Sequence, residues 1–108
     1  MSWDKNHRVS ESLVAAAYDL YESGDIDLAK ENYLIAAKYE EKAAQFVAKA
    51  ETSRTFGITA ISAISLYLRG GDFNKAHLLG KEYLSRAELP AFAKEQIEEL
   101  LKILDDKQ

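Results

Sequence analysis

No cysteine occurs in this chain of 108 residues. That excludes a disulfide scaffold, a thiolate metal site and a cysteine nucleophile together, and it fits a reducing compartment such as the cytoplasm. A single proline is present, so little interrupts a helix. No apolar run approaches the ~20 residues that a membrane helix needs. The opening segment MSWDKNHRVSES is polar and lacks the apolar core of a signal peptide. A basic block is also missing: 14 Lys and Arg are scattered among 18 Asp and Glu, for a net charge of −4. Nucleic acid calls for a clustered basic face, so neither nucleic acid nor a membrane is expected as a partner.

What is there is helix-forming. Ala, Leu, Glu and Lys dominate, and 47% hydrophobic with 30% charged residues describes an ordered protein of one domain. Ser23-Gly24-Asp25 and Arg69-Gly70-Gly71-Asp72 each join a glycine helix stop to an aspartate N-cap. Glu51-Thr52-Ser53 supplies further N-cap hydroxyls, and Pro90 marks another helix start. These marks predict five helices: A at 9–23, B at 25–50, C at 53–69, D at 72–86 and E at 90–105. Residues 1–8 are an N-terminal arm and 9–105 one helical domain. Leu13, Ala16, Ala17 and Leu20 give helix A one apolar face; Ile97, Leu100, Leu101 and Leu104 do so for helix E. Short joints imply antiparallel neighbours.

Phe56–Leu68 carries no charge. At about 100° per residue, Ile61, Ile64, Tyr67 and Leu68 share one arc, with Thr59, Ser62, Ser65 and Arg69 on a second beside Ile58 and Leu66. Serine and threonine can bond the carbonyl of the preceding turn, so the second face can be buried too. Either A, B, D and E surround helix C, or one side stays open for another chain. Gly57 in its first turn admits a close helix contact.

The chain repeats itself. AAAYDLYESGDIDLAKENYL parallels SAISLYLRGGDFNKAHLLGKEYL, with Gly24-Asp25-Ile26 and Ala29 aligned on Gly71-Asp72-Phe73 and Ala76. This pattern resembles the tetratricopeptide repeat (TPR), through Leu13, Ala16, Ala17, Leu20, Gly24, Asp25, Ile26, Ala29, Tyr33 and Ala36 in the first unit. In the second it does so through Ala60, Ala63, Ile64, Tyr67, Gly71, Asp72, Phe73 and Ala76. The units lie 47 residues apart where the family has about 34, so helix B and its junction are lengthened. Glu41 stands at the family's closing proline, and Gly80 replaces a bulky residue. A fainter resemblance is to three-helix trafficking domains with A-x-x-Y-D and A-x-x-x-Y-x-x-A spacing. The TPR-like resemblance implies an all-α fold: a five-helix, antiparallel, right-handed array whose C-terminal helix is a cap. Lys94, Glu95, Glu98, Glu99 and Lys102 would form its charged outer face.

The resemblance also implies a partner groove along the first helix of each pair. By register its residues are Glu11, Val14, Tyr18, Tyr21 and Glu22 from helix A, and Ile58, Ile61, Ser65, Leu68 and Arg69 from helix C. Tyrosines, apolar residues and one arginine suit recognition of a peptide or helix; helix E or another subunit filling the groove is the alternative. Ser53-Arg54-Thr55 is an ordinary N-cap or an anion site. His7, in the arm, and His77 form no recognisable metal set. Glu40-Glu41 and Glu98-Glu99 read as solvated faces, and Trp3 packs on the bundle or on a partner. No phosphate loop, nucleophile elbow or H-E-x-x-H motif appears, so no catalytic residue, cofactor or metal is expected. The function expected is a non-catalytic protein-interaction module, an adaptor or scaffold. A self-associating homodimer is the alternative, favoured by Ala43, Ala44, Phe46 and Val47 on helix B. An enzyme is the remote one; a pocket with a strongly perturbed carboxylate or histidine would revive it.

Overall fold

A computed structural model describes residues 2–50 and 53–107. These form five helices and no strand: α1 Trp3–Glu22, α2 Ile26–Ala50, α3 Ser53–Gly70, α4 Phe73–Leu84 and α5 Ala91–Lys107. Glu51 and Thr52, two of the expected N-cap signals, lie outside the described residues. No helix among the described residues is long and apolar enough to cross a membrane.

The largest departure from expectation is at the start. Residues 3–8 are not an arm but the first turns of α1. Ser2 caps them, its hydroxyl accepting from the Lys5 N–H at 3.3 Å, and Asp4 sits at the positive end of the helix. Packing secures them: Asn6 is wholly buried and donates from Nδ2 to the Ser2 carbonyl at 2.9 Å.

The two repeated turns fold alike. Gly24 and Gly71 adopt φ of 87° and 86°, the left-handed region that a side chain rarely enters. Asp25 N–H donates to the Leu20 carbonyl at 2.9 Å, and Asp72 N–H to that of Tyr67 at 3.0 Å. Gly24 N–H reaches the Tyr21 carbonyl and Gly71 N–H that of Leu68. This is the Schellman closure, which satisfies carbonyls that a helix end otherwise leaves free. Ala29 and Ala76, each buried, then let the next helix close on the last.

Neighbours in sequence are neighbours in space. α1 packs on α2, α2 on α3, and α3, α4 and α5 pack on one another. The molecule measures 40 × 34 × 18 Å, so it is less than two helix diameters thick. Its core is small and close-packed: five buried alanines on α2 and α3 leave room for Phe56, Ile64, Tyr67, Tyr83 and Ile97. Phe56 and Tyr83 meet edge to face at 5.7 Å. Gly57 is where α5 comes closest. A methyl there would stand 2.8 Å from the Pro90 ring and 3.0 Å from the Ala93 methyl. The expected faces hold on α5, where Ile97 and Leu104 are buried and Lys94, Glu95, Glu98, Glu99 and Lys102 are exposed. On α1, Ala17 is buried and Leu13 and Leu20 half-buried, but Ala16 is exposed.

Helix α3 has α2, α4 and α5 around it, and not α1. The arc of Ile64 and Tyr67 is buried, as are Thr59 and Leu66 on the second arc. Thr59 Oγ1 donates to the Thr55 carbonyl at 2.7 Å, which is how a hydroxyl enters such a helix cheaply. Ile58, Ser62, Ser65 and Arg69 form the strip left open; none of them is buried.

Candidate functional site between α1 and α3

The open strip of α3 faces a groove whose other wall is α1 and whose floor is α2. Two hollows lie along it. One, of about 510 Å³, is lined by Val14 and Glu11 from α1, Ile61, Ser65 and Arg69 from α3, and Glu40 from α2, with His7 and Ser10 beside them. The other, of about 360 Å³, is lined by Tyr18, Tyr21 and Glu22 from α1, Tyr33 and Lys30 from α2, and Arg69 again. α5 contributes to neither, so it does not fill the groove.

Arg69 stands between the hollows. Its guanidinium lies 5.9 Å from the centre of the Tyr33 ring, within reach of the negative face. Tyr18 and Tyr21 are 57% and 56% exposed, so their rings are available to a ligand. Of the ten residues expected from the sequence, Glu11, Val14, Ile61, Ser65 and Arg69 line the first hollow and Tyr18, Tyr21, Glu22 and Arg69 the second. Ile58 and Leu68 line neither; Leu68 packs on the core. Ser53 and Arg54 are exposed at the start of α3.

The floor was not foreseen. Glu40, expected in solvent, is 2% exposed. His7 Nδ1 lies 3.0 and 3.2 Å from its two carboxylate oxygens. Glu11 approaches the other side of the same imidazole, at 3.6 Å from Nε2. Burial raises the Glu40 carboxyl above its ordinary range; the bond and charge of His7 lower it, but by less, and Glu11 adds repulsion. Trp3 stacks on His7 with ring centres 4.9 Å apart and planes 9° from parallel. Its Nε1–H donates to Thr59 Oγ1 at 3.0 Å. Trp3 therefore ties α1 to α3, whose backbones do not approach.

Glu41 is likewise not a solvated neighbour of Glu40. It accepts from the Tyr67 hydroxyl at 2.6 Å and pairs with Lys75 at 3.3 Å on the opposite side of α2. Burial first, and then the bond and charge of Glu41, raise the Tyr67 phenol well above normal. His77 pairs with Asp105 at 3.3 Å. No group of three His, Cys, Asp or Glu able to hold a metal occurs among the described residues.

A signal for the missed floor existed. Glu40 falls in the stripe of Ala36, Ala37, Ala43, Ala44 and Val47, all of which are buried. A charge at that position is either paired or functional. No protein-family model, curated protein or solved structure matches this chain.

Proposed function

We propose that this chain is a non-catalytic protein-interaction module, an adaptor that holds a peptide or helix in the α1/α3 groove. The observation that supports it is the pair of hollows in line, with Arg69 between them and apolar walls on either side. Such a site suits a segment that lays apolar side chains against Val14 and Ile61 and offers a carboxylate or carbonyl to Arg69. Tyr18 and Tyr21 would add aromatic contact at little entropy cost. The TPR-like resemblance points the same way. The two matching Schellman turns and the charged outer face of α5 support reading the fold as two hairpins of a right-handed array with a cap.

The test uses peptides selected by display against the full chain. Binding should move the amide resonances of α1 and α3, and Ile61→Glu and Arg69→Glu should each weaken it about tenfold or more. Peptides that bind both variants as tightly as the parent would remove the groove from consideration.

A second reading is favoured by one observation. Glu40, raised by burial and bonded to His7 in a hollow with Ser10 and Ser65, meets the condition set for an enzyme. Against it, Glu40 and His7 satisfy each other, and the carboxylate and Ser10 are almost wholly covered. Turnover of any substrate that is abolished by Glu40→Gln would establish this reading over the first.

A further inference from the structure

The back of the α1/α2 hairpin, facing away from the groove, is unusually apolar. Leu28, Ile35, Tyr39 and Phe46 fall within an arc of about 40° and form a straight stripe some 27 Å long on α2. Leu28 is 51%, Ile35 44% and Phe46 47% exposed. Ala43, Ala44 and Val47, once grouped with Phe46, are buried on the other side. The adjoining face of α1 carries Val9, Ala16 and Leu20, none of them buried. Side by side, the two stripes make one surface, since an antiparallel hairpin places them in the same layer.

The charges bordering this surface have an order. On α2, Glu31 lies in the N-terminal half of the stripe and Lys42 in the C-terminal half, on the same flank. On α1 the order is reversed: Lys5 comes early and Asp19 late. None of the four takes part in an ion pair among the described residues. When two copies of a helix pack antiparallel, each flank meets its own counterpart run backwards. Glu31 then faces Lys42 of the second copy, Leu28 faces Phe46, and Ile35 faces Tyr39. Lys5 faces Asp19 in the same way.

The two helices agree on where the axis must pass. The α2 pairs centre on about residue 37, and the α1 pair on about residue 12. The His7–Glu40 contact sets the register of the hairpin, which places residue 12 level with roughly residue 35. The two centres thus coincide to within about 3 Å along the helices.

We propose that the occupant of this face is a second copy of the chain, its α1/α2 layer antiparallel to the first about a two-fold axis near Ser12 and Ala37. The interface is isologous, as a two-fold requires. The groove lies on the other face of the hairpin and stays open, so the dimer stands apart from the adaptor reading.

Three variants of the full chain test it by sedimentation and light scattering across a wide concentration range, with circular dichroism to confirm folding. The parent should be dimeric, and Ile35→Glu monomeric with its helix content kept. Glu31→Lys should weaken the dimer about tenfold, and adding Lys42→Glu should restore it to within about threefold. Because the chain has no cysteine, Ser12→Cys should oxidise cleanly to a covalent dimer. A parent that is monomeric at every concentration, a dimer indifferent to Ile35→Glu, or a charge reversal that its partner reversal does not rescue would each overturn the proposal.

Discussion

Three buried or half-buried polar groups show how one side chain's neighbours decide its cost. Tyr83 is 2% exposed and its hydroxyl has no partner among the described residues; Tyr67 gives its hydroxyl to Glu41. The same substitution should therefore act in opposite directions. Tyr83→Phe removes an unmet desolvation cost and should raise stability by about 1 kcal/mol, whereas Tyr67→Phe loses a charge-assisted bond and should lower it by about 1–2 kcal/mol. Urea unfolding of the two variants reads both numbers. Glu40 adds a pH dependence. Its folded carboxyl binds its proton more tightly than the unfolded one, because burial outweighs His7. The folded state then holds the extra proton, so this group favours folding at low pH, and that contribution is lost as pH rises from the ordinary carboxyl range through the raised value. Glu40→Gln cannot ionise yet still accepts from His7. Its stability relative to the parent should increase with pH across that window, as seen in paired urea titrations at several pH values. A flat difference would mean that His7 fully offsets the burial.

At the scale of the helix, Gly57 sets two known effects against each other. Gly57→Ala should gain about 1 kcal/mol of helix propensity, but its methyl would meet Pro90, Phe92 and Ala93 at about 3 Å. Overpacking against a proline ring and a backbone-fixed methyl costs about 1–3 kcal/mol, so the variant should be less stable by about 1 kcal/mol in thermal or urea unfolding. This contact was legible in the sequence, since a glycine in the first turn of a helix has few other reasons to be there. So were the Gly-Asp turns, whose left-handed glycines leave one geometry, and the apolar and charged faces of α5. Other parts were hidden for physical reasons. Ser2 and Asp4 announce a helix start in the usual way, but six polar residues give no periodicity, and what keeps them helical is Trp3 on Thr59 and His7 on Glu40, contacts made across 56 and 33 residues. The groove's register came through for eight of its ten residues. Its floor did not: the stripe of buried alanines on α2 marks Glu40 as covered, but nothing local to α2 names a histidine 33 residues away as its partner.

In the molecule as a whole, α1 is the helix with the fewest packed neighbours. It packs on α2 alone, and the Trp3 to Thr59 bond ties it to α3. Helices α3, α4 and α5 each have at least two packed neighbours. Parting that one interface frees α1 without disturbing the packing of α3, α4 and α5, so α1 should release before the rest unfolds. Trp3 is the only tryptophan, which makes it an unmixed optical reporter of this event. In urea its fluorescence should change at lower concentration than the far-ultraviolet dichroism, which averages all five helices. Amide hydrogens of α1 should exchange faster than those of α3. Trp3→Phe keeps the ring near His7 but removes the bond to Thr59, and it should speed exchange in α1 while leaving α4 and α5 unchanged. Coincident fluorescence and dichroism transitions would instead mean that the α1/α2 interface alone couples the hairpin to the core. The same bond joins the two walls of the groove. A ligand that grips Val14 and Ile61 together holds α1 to α3 at a second point, so bound peptide should bring the fluorescence transition up to that of the dichroism. The size of that shift, rather than the bare affinity, would measure how far the groove's occupant completes the fold.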